Sequence, residues 1–255
     1  MNSLESSILR WLTVILIPLV LGLLLFVSTL WRDFSQNDAL ENGFVTPTTN
    51  LNQIIDYVKS STVTVNCKND FGSGFSFEFE KADKAKFNFE LPDNQDSSVI
   101  LTNYHVVKEC FKDKSEIYIS DFESKRLKGI ILEVDSDNDV AAIWVPKEIE
   151  SLLAAPYTYY PGFWVMAMGS PFGMTSSVTF GNIIYIENSK IYTSASLNKG
   201  NSGGPLVDNT GYVMAINTGY RAVAQNLNYA TDINVLCAKL AKCEKDYKLI
   251  HSVAD

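Results

Sequence analysis

The chain has 255 residues, 46% of them hydrophobic and 20% charged, which suits a packed globular body and not a disordered one. Its formal net charge of −8 argues against binding nucleic acid through phosphates, which needs a basic face. Only two histidines are present, His105 and His251, so any imidazole chemistry must use one of them.

Residues 1–10 form a short tail. From Trp11 to Trp31 no charged residue occurs, a run of about 21 residues or roughly 30 Å as a helix, enough to span a bilayer's hydrocarbon core. Trp11 and Trp31 would sit at the two interfaces with Arg10 and Arg32 beyond them. The run exceeds the apolar region of a cleaved signal peptide, and no Ala-x-Ala site follows it, so the sequence predicts an uncleaved signal anchor. Asp33, Asp38 and Glu41 make the following flank acidic, which orients the N-terminus to the cytoplasm and the body outside it. Residues 32–50 are polar and read as a linker.

Leu51, Ile54, Ile55 and Val58 recur at helical spacing and predict a short helix. Strand signals then dominate. Ser61 to Asn66 is rich in Val and Thr; Phe75, Phe77 and Phe79 alternate with other residues, as do Phe87, Phe89 and Leu91, around a charged tip at Lys81 to Lys86. Further strand candidates are Val99–Thr102, Ile117–Ile119, Leu127–Val134, Val140–Val145, Phe163–Met168, Val178–Ile186 and Tyr212–Ile216. Short strands at this spacing indicate an all-β body, either barrels or a sandwich. Ile233, Leu236, Cys237, Leu240, Cys243 and Tyr247 predict a C-terminal helix capped by Thr231 or Asp232.

Three segments carry the chemistry. In Gly200-Asn201-Ser202-Gly203-Gly204 three glycines flank one serine ahead of a short apolar strand. Such a turn exposes a hydroxyl and lets backbone N–H groups, here those of Gly200 and Ser202, converge as an oxyanion hole, each donor contributing roughly 3–4 kcal/mol in the transition state. In Leu101-Thr102-Asn103-Tyr104-His105-Val106-Val107 a histidine follows an apolar strand, where a base can project into a cleft. A lone histidine in an apolar setting is ordinarily structural, but this one shares its chain with an activated-looking serine. In Asp135-Ser136-Asp137-Asn138-Asp139 three acids precede another strand. Asp139 abuts the strand and is expected to be the most buried, hence the partner of the imidazole; Asp135 and Asp137 read as turn residues. The assignment is Ser202 nucleophile, His105 general base and Asp139 orienting acid. Their order, His, Asp, Ser, is that of chymotrypsin-type enzymes, and no Gly-x-Ser-x-Gly elbow is present.

With Gly72-Ser73-Gly74-Phe75, Gly169-Ser170-Pro171-Phe172-Gly173 and Val178-Thr179-Phe180-Gly181, these segments resemble the HtrA-type (Deg) trypsin-like serine proteases over roughly residues 51–235. The resemblance implies two six-stranded β-barrels with the triad in the cleft between them. It also implies ATP-independent cleavage of unfolded or exposed protein segments, and assembly into homo-oligomers in many members. The sequence departs from that family in leaving no room for a PDZ domain after the protease, and its stretch between Gly74 and Leu101 is longer. Ser196, with the rest of Thr193–Leu197, should line the S1 pocket together with Ile216, Asn217, Thr218 and Tyr229–Thr231. None of these is acidic, so small or medium apolar P1 residues are expected over Arg or Lys. Chymotrypsin-like enzymes often tie the regions of Cys67 and Cys110 by a disulfide, and the same pairing is expected here in an oxidising compartment. Cys237 and Cys243 lie about 9 Å apart along a continuous helix and should not pair. The expected partners are protein or peptide substrates and the membrane. No cofactor is expected, and the sequence offers no zinc spacing. The alternative is a catalytically silent membrane-tethered peptide-binding module on a protease fold; a third reading is a latent enzyme ordered by a partner.

Overall fold

The computed structural model describes residues 20, 22–23, 46–79, 85–92, 96–123, 125–170, 177–220 and 227–243. Its elements run α1 (Leu51–Ser61), β1 (Thr62–Cys67), β2 (Asp70–Ser76), β3 (Ala85–Phe87), β4 (Ser98–Thr102), α2 (Tyr104–Asp113), β5 (Ile117–Ser120), β6 (Arg126–Asp135) and β7 (Val140–Val145). They continue through β8 (Trp164–Gly169), β9 (Ser177–Glu187), β10 (Lys190–Thr193), β11 (Pro205–Val207), β12 (Val213–Tyr220) and β13 (Asn228–Asp232). A 3₁₀ turn (Ile233–Val235), the one-turn helix α3 (Leu236–Lys239) and β14 (Ala241–Cys243) follow. Two closed barrels result, one in the order β1-β2-β4-β7-β6-β5 and one in the order β10-β13-β12-β11-β8-β9.

The period-2 alternation of strand side chains explains why the central strands read as unbroken apolar runs: both faces are covered. In the first barrel Ile100, Ala141 and Ile143 point inward with Val63, Val65, Ile117 and Ile119. Their neighbours Leu101, Val140 and Ala142 point outward, against Phe75, Phe77 and Leu152. In the second barrel Val165 and Ala167 face the interior with Ile183, Ile191 and Leu206. Trp164, Met166 and Met168 face the other way, into the layer shared with Phe75, Leu101 and Ile216. Each fully buried apolar side chain of this kind contributes roughly 1.5–3 kcal/mol, so the layer between the barrels is as much a core as either interior.

The short helix expected from Leu51 onward is α1, which buries Val58. The C-terminal helix is overturned. The chain makes only the 3₁₀ turn and α3 before turning back as β14, which pairs antiparallel with β3, Ala241 opposite Phe87 and Cys243 opposite Ala85. Asp232 does cap the start, its side chain accepting from the Asn234 N–H at 2.8 Å. Because the helix stops at Lys239, Cys237 and Cys243 come within 5.6 Å between Cα atoms and are disulfide-bonded, against the expectation for a continuous helix. Cys67 and Cys110 form the second disulfide, joining the end of β1 to α2. Among the described residues no helix is long and apolar enough to cross a membrane; the predicted span, residues 11–31, lies outside them except for Val20, Gly22 and Leu23.

One buried acid makes the fold pH-sensitive. Asp208, in the turn after β11, is fully buried. One of its oxygens accepts from the Thr210 N–H (2.7 Å), the Thr210 hydroxyl (2.7 Å) and the Tyr212 N–H (3.1 Å). Its other oxygen, Oδ2, is buried and has no partner among the described residues. Burial pushes this carboxyl up from 3.8 to about 6, against the opposing pull of those hydrogen bonds. The folded state therefore holds the proton more tightly than the unfolded chain. Its contribution is most favourable below about pH 4 and is lost as pH rises to about 6, a swing on the order of 3 kcal/mol. Asp208→Asn should raise Tm at pH 7 and lose most of that advantage at pH 4. A difference from the wild type that stays constant across this range would show that Asp208 is not the group responsible.

Candidate active site

β4 ends at Thr102, and the chain turns at Asn103 into α2, so His105 lies in the first turn of a helix and not at a strand end. Val106, Val107 and Cys110 bury one side of that helix and fix its rotation, leaving His105 on the open side with 47% of its side chain exposed. First-turn N–H groups have no partner within a helix. That of His105 donates to Asp139 Oδ1 at 2.8 Å, and the ring's Nδ1 meets Asp139 Oδ2 at 2.7 Å. A carboxylate only accepts, so this contact fits the tautomer with the proton on Nδ1, in which the lone pair of a neutral ring lies on Nε2.

Asp139 reaches this position at the end of the turn after β6, with φ of +57°, a region that Asp tolerates better than most residues. Contrary to expectation, Asp139 is not the most buried of the three acids. Asp135 is the more buried acid, and it organises the turn by accepting from the Asp137 and Asn138 N–H groups, both at 3.1 Å. Asp139 is only partly covered; geometry, not depth, singles it out.

The turn from Gly200 to Gly204 is built against the opposite barrel. Gly200 and Gly203 have φ of +103° and +91°, conformations that L side chains rarely adopt. A Cβ on Gly203 would stand 2.1 Å from the Ser73 carbonyl oxygen and 2.2 Å from Thr102 Oγ1. The fully buried Ser73 holds the turn by donating its N–H to the Ser202 carbonyl (2.8 Å) and its hydroxyl to the Gly200 carbonyl (2.6 Å). Its hydroxyl oxygen also accepts from the Ser170 N–H at 2.8 Å, and its carbonyl accepts from the Thr102 hydroxyl at 2.7 Å. The N–H groups of Asn201, Gly203 and Gly204 are spent on internal bonds, whereas those of Gly200 and Ser202 have no partner among the described residues. Ser73 is not among the site residues expected from the sequence; its partners Ser170, Gly200 and Ser202 lie more than 90 residues away along the chain.

The Ser202 hydroxyl donates to the Thr218 carbonyl at 3.0 Å, and among the described residues it makes no hydrogen bond to His105. A second link crosses the cleft. Asn103 is completely buried, and its Nδ2 donates to the Asp139 carbonyl (2.8 Å) and to Thr218 Oγ1 (3.3 Å). The contacting pair His105 and Asp139 of one barrel is thereby joined to the strand of the other that receives the Ser202 hydroxyl.

Beside Ser202 lies a pocket of about 270 Å³ lined by Leu197, Asn198, Lys199, Ser202, Thr218 and Gly219. Of the residues expected to bind substrate, Thr218 is in this lining. Ile216 and Asn217 are fully buried instead, Asn217 donating to the Met168 and Pro205 carbonyls at 3.1 and 2.9 Å. Ser196 is exposed outside the lining, its carbonyl accepting from the Thr179 hydroxyl at 2.8 Å. Lys199 and Gly219 were not among the expected pocket residues. Among the described residues no group of His, Cys, Asp and Glu could hold a metal ion.

Residues 89–216 match the trypsin-like peptidase domain. Among curated proteins, the chain is 34% identical over 150 residues to the putative serine protease HhoB of Synechocystis sp., covering 52% of this chain and 35% of that one. It is 34% identical over 138 residues to a probable periplasmic serine endoprotease DegP-like of Buchnera aphidicola, covering 49% and 28%. The chain thus spans about a third of the length of these relatives. Among solved structures, the serine endoprotease from Yersinia pestis superposes with a TM-score of 0.61 at 24% identity, covering 76% of this chain and 65% of that one. Rv3671c from M. tuberculosis, in an inactive form, does so with a TM-score of 0.61 at 20% identity, covering 76% and 92%. These likenesses speak to the fold: two six-stranded barrels of the chymotrypsin type.

Proposed function

The chain belongs to the trypsin-like peptidase family, with a domain of the HtrA/DegP type, and from that premise we propose that it is a serine endopeptidase in which Ser202, His105 and Asp139 act as the triad. The observation that carries the reading is the paired contact of Asp139 with the His105 ring and backbone, together with the Asn103 side chain that joins the Asp139 carbonyl to Thr218, whose own carbonyl receives the Ser202 hydroxyl. Rotation of the Ser202 side chain away from the Thr218 carbonyl brings its proton to Nε2 as the oxygen attacks a substrate carbonyl. Asp139 stabilises the imidazolium so formed. The free N–H groups of Gly200 and Ser202 receive the developing oxyanion. His105 then returns the proton to the leaving amine, and water repeats the sequence on the acyl-enzyme.

Substrates on this reading are unfolded or exposed protein segments, with small or medium apolar P1 residues preferred over Arg and Lys. An extracytoplasmic setting is supported by two disulfides in a chain of this size and by the periplasmic relatives. Residues 11–31 would tether the protease to the membrane. The bond from Ser202 to the Thr218 carbonyl also supports a resting state that substrate displaces.

A fluorophosphonate probe tests the assignment. The wild type should be labelled at Ser202, faster once an unfolded protein has engaged the cleft, and His105→Ala should lose the labelling. A wild type that stays unlabelled both alone and with substrate would support the silent peptide-binding module instead.

A further inference from the structure

Among the described residues that line the pocket, Lys199 is the one that carries a charge, beside Leu197, Asn198, Ser202, Thr218 and Gly219. It is exposed, and among the described residues it has no carboxylate partner, unlike Lys68, Lys128, Lys147 and Lys239. Among the described residues no ion pair joins it to Asp139, whose oxygens meet the His105 N–H and Nδ1. A free ammonium is out of keeping with the chain as a whole, whose net charge is −8. That charge repels acidic segments at long range, but salt screens it beyond about 8 Å. Within the pocket the nearest charge decides, and that charge is positive.

We propose that Lys199 is a specificity-determining residue that selects substrates carrying an aspartate or glutamate next to the apolar P1 residue. The ammonium offers three donors on a flexible stem, matching a carboxylate of either length. Asn198 and the Thr218 side of the pocket add uncharged polar surface that accepts such a group without competing for the cation. The same charge repels Arg and Lys, so the absence of an acid in the pocket and the presence of Lys199 act in one direction. This inference rests on the proteolytic reading of Ser202, and it goes further by naming the chemistry of the substrate.

The test uses peptides that differ only by Glu against Gln at each position next to an apolar P1 residue. In the wild type at least one position should favour Glu in kcat/KM by about 3- to 5-fold, the range for a partly exposed ion pair. The ratio should fall towards one in 0.5 M salt at roughly a 4 Å screening length. Lys199→Gln should abolish the ratio, and Lys199→Glu should invert it in favour of a Lys peptide. Peptides cleaved with no Glu preference at any position would overturn the proposal and leave the protease reading intact. If no peptide is cleaved, the protease reading fails, and equilibrium binding of the same pairs to the wild type decides the charge claim. Tighter binding of the Glu peptide sustains it, and equal affinities end it.

Discussion

Replacing Ser202 with alanine should lower kcat on an unfolded protein substrate by on the order of 10⁶-fold, the scale found when a serine protease loses its nucleophile. It should leave the fold nearly intact. The side chain makes one hydrogen bond, to the Thr218 carbonyl, and losing one such bond changes stability by only about 1 kcal/mol. The turn itself is held by backbone bonds and by Ser73, none of which involves the serine hydroxyl. Asp139→Asn makes the complementary test. The carboxylate accepts from the His105 N–H with one oxygen and faces Nδ1 with the other. An amide has only one oxygen, so it either opposes its NH₂ to the backbone N–H or forces Nδ1 to become an acceptor. In the second case Nε2 carries the proton and cannot take another. A loss of about 10⁴-fold is expected, as in serine proteases given the wrong tautomer. Ser202→Ala protein that unfolds as the wild type does while keeping more than a hundredth of its kcat would remove the nucleophile from the scheme.

The bridge between Cys67 and Cys110 should account for the largest single share of stability that can be removed without touching the core. It closes a loop of sequence separation 43, for which the loss of unfolded-state entropy corresponds to about 4 kcal/mol. The double variant Cys67→Ala/Cys110→Ala should therefore lower Tm by roughly 8–16 °C, taking 2–4 °C per kcal/mol for a chain of this size. The bridge spanning Cys237 and Cys243 closes a separation of only 6 and should contribute about 2 kcal/mol in the same account. Its removal alone should be distinguishably milder. The first bridge also holds the helix that carries His105: Cys110 sits in α2 with its N–H directed at Cys67 Sγ, 3.1 Å away. Loss of activity is expected at temperatures below the midpoint of the double variant's unfolding. A Tm within 2 °C of the wild type would mean that packing of Val106 and Val107 alone holds α2 in place.

The strands were legible because they are covered on both sides. Val140–Val145 and the run through Met168 show continuous apolar character that survives any choice of register. Ser202, His105 and Asp139 could be proposed from the sequence because rare residue types stand in restrictive local contexts, and the structure brings His105 and Asp139 into contact. What escaped depends on distant partners. Helix α2 was missed because Tyr104, Val106 and Val107 favour strands, although Val106, Val107 and Cys110 trace one helical face. The C-terminal helix was overextended because Leu236 and Leu240 do bury at helical spacing. Nothing local announces that Ala241–Cys243 pairs with β3. Ser73 and Asn103 were invisible as supports of the site, since each acts on the barrel to which it does not belong. The pocket was only half read, because β12 turns Ile216 and Asn217 away from the opening through which Thr218 is reached.

The pairing of β3 with β14 has a consequence for biosynthesis. Phe87 stands opposite Ala241, and the Asn88 N–H donates to the Leu240 carbonyl at 3.0 Å. Most of the polypeptide separates these partners, so closing this two-stranded sheet bears a loop entropy that nearest-neighbour hairpins escape. During translation the first barrel has every strand it needs long before β14 leaves the ribosome, while the aromatic cluster of Phe77, Phe79, Phe87 and Phe89 still lacks one edge. A nascent chain must carry that unfinished aromatic flap until the last strand arrives to latch it.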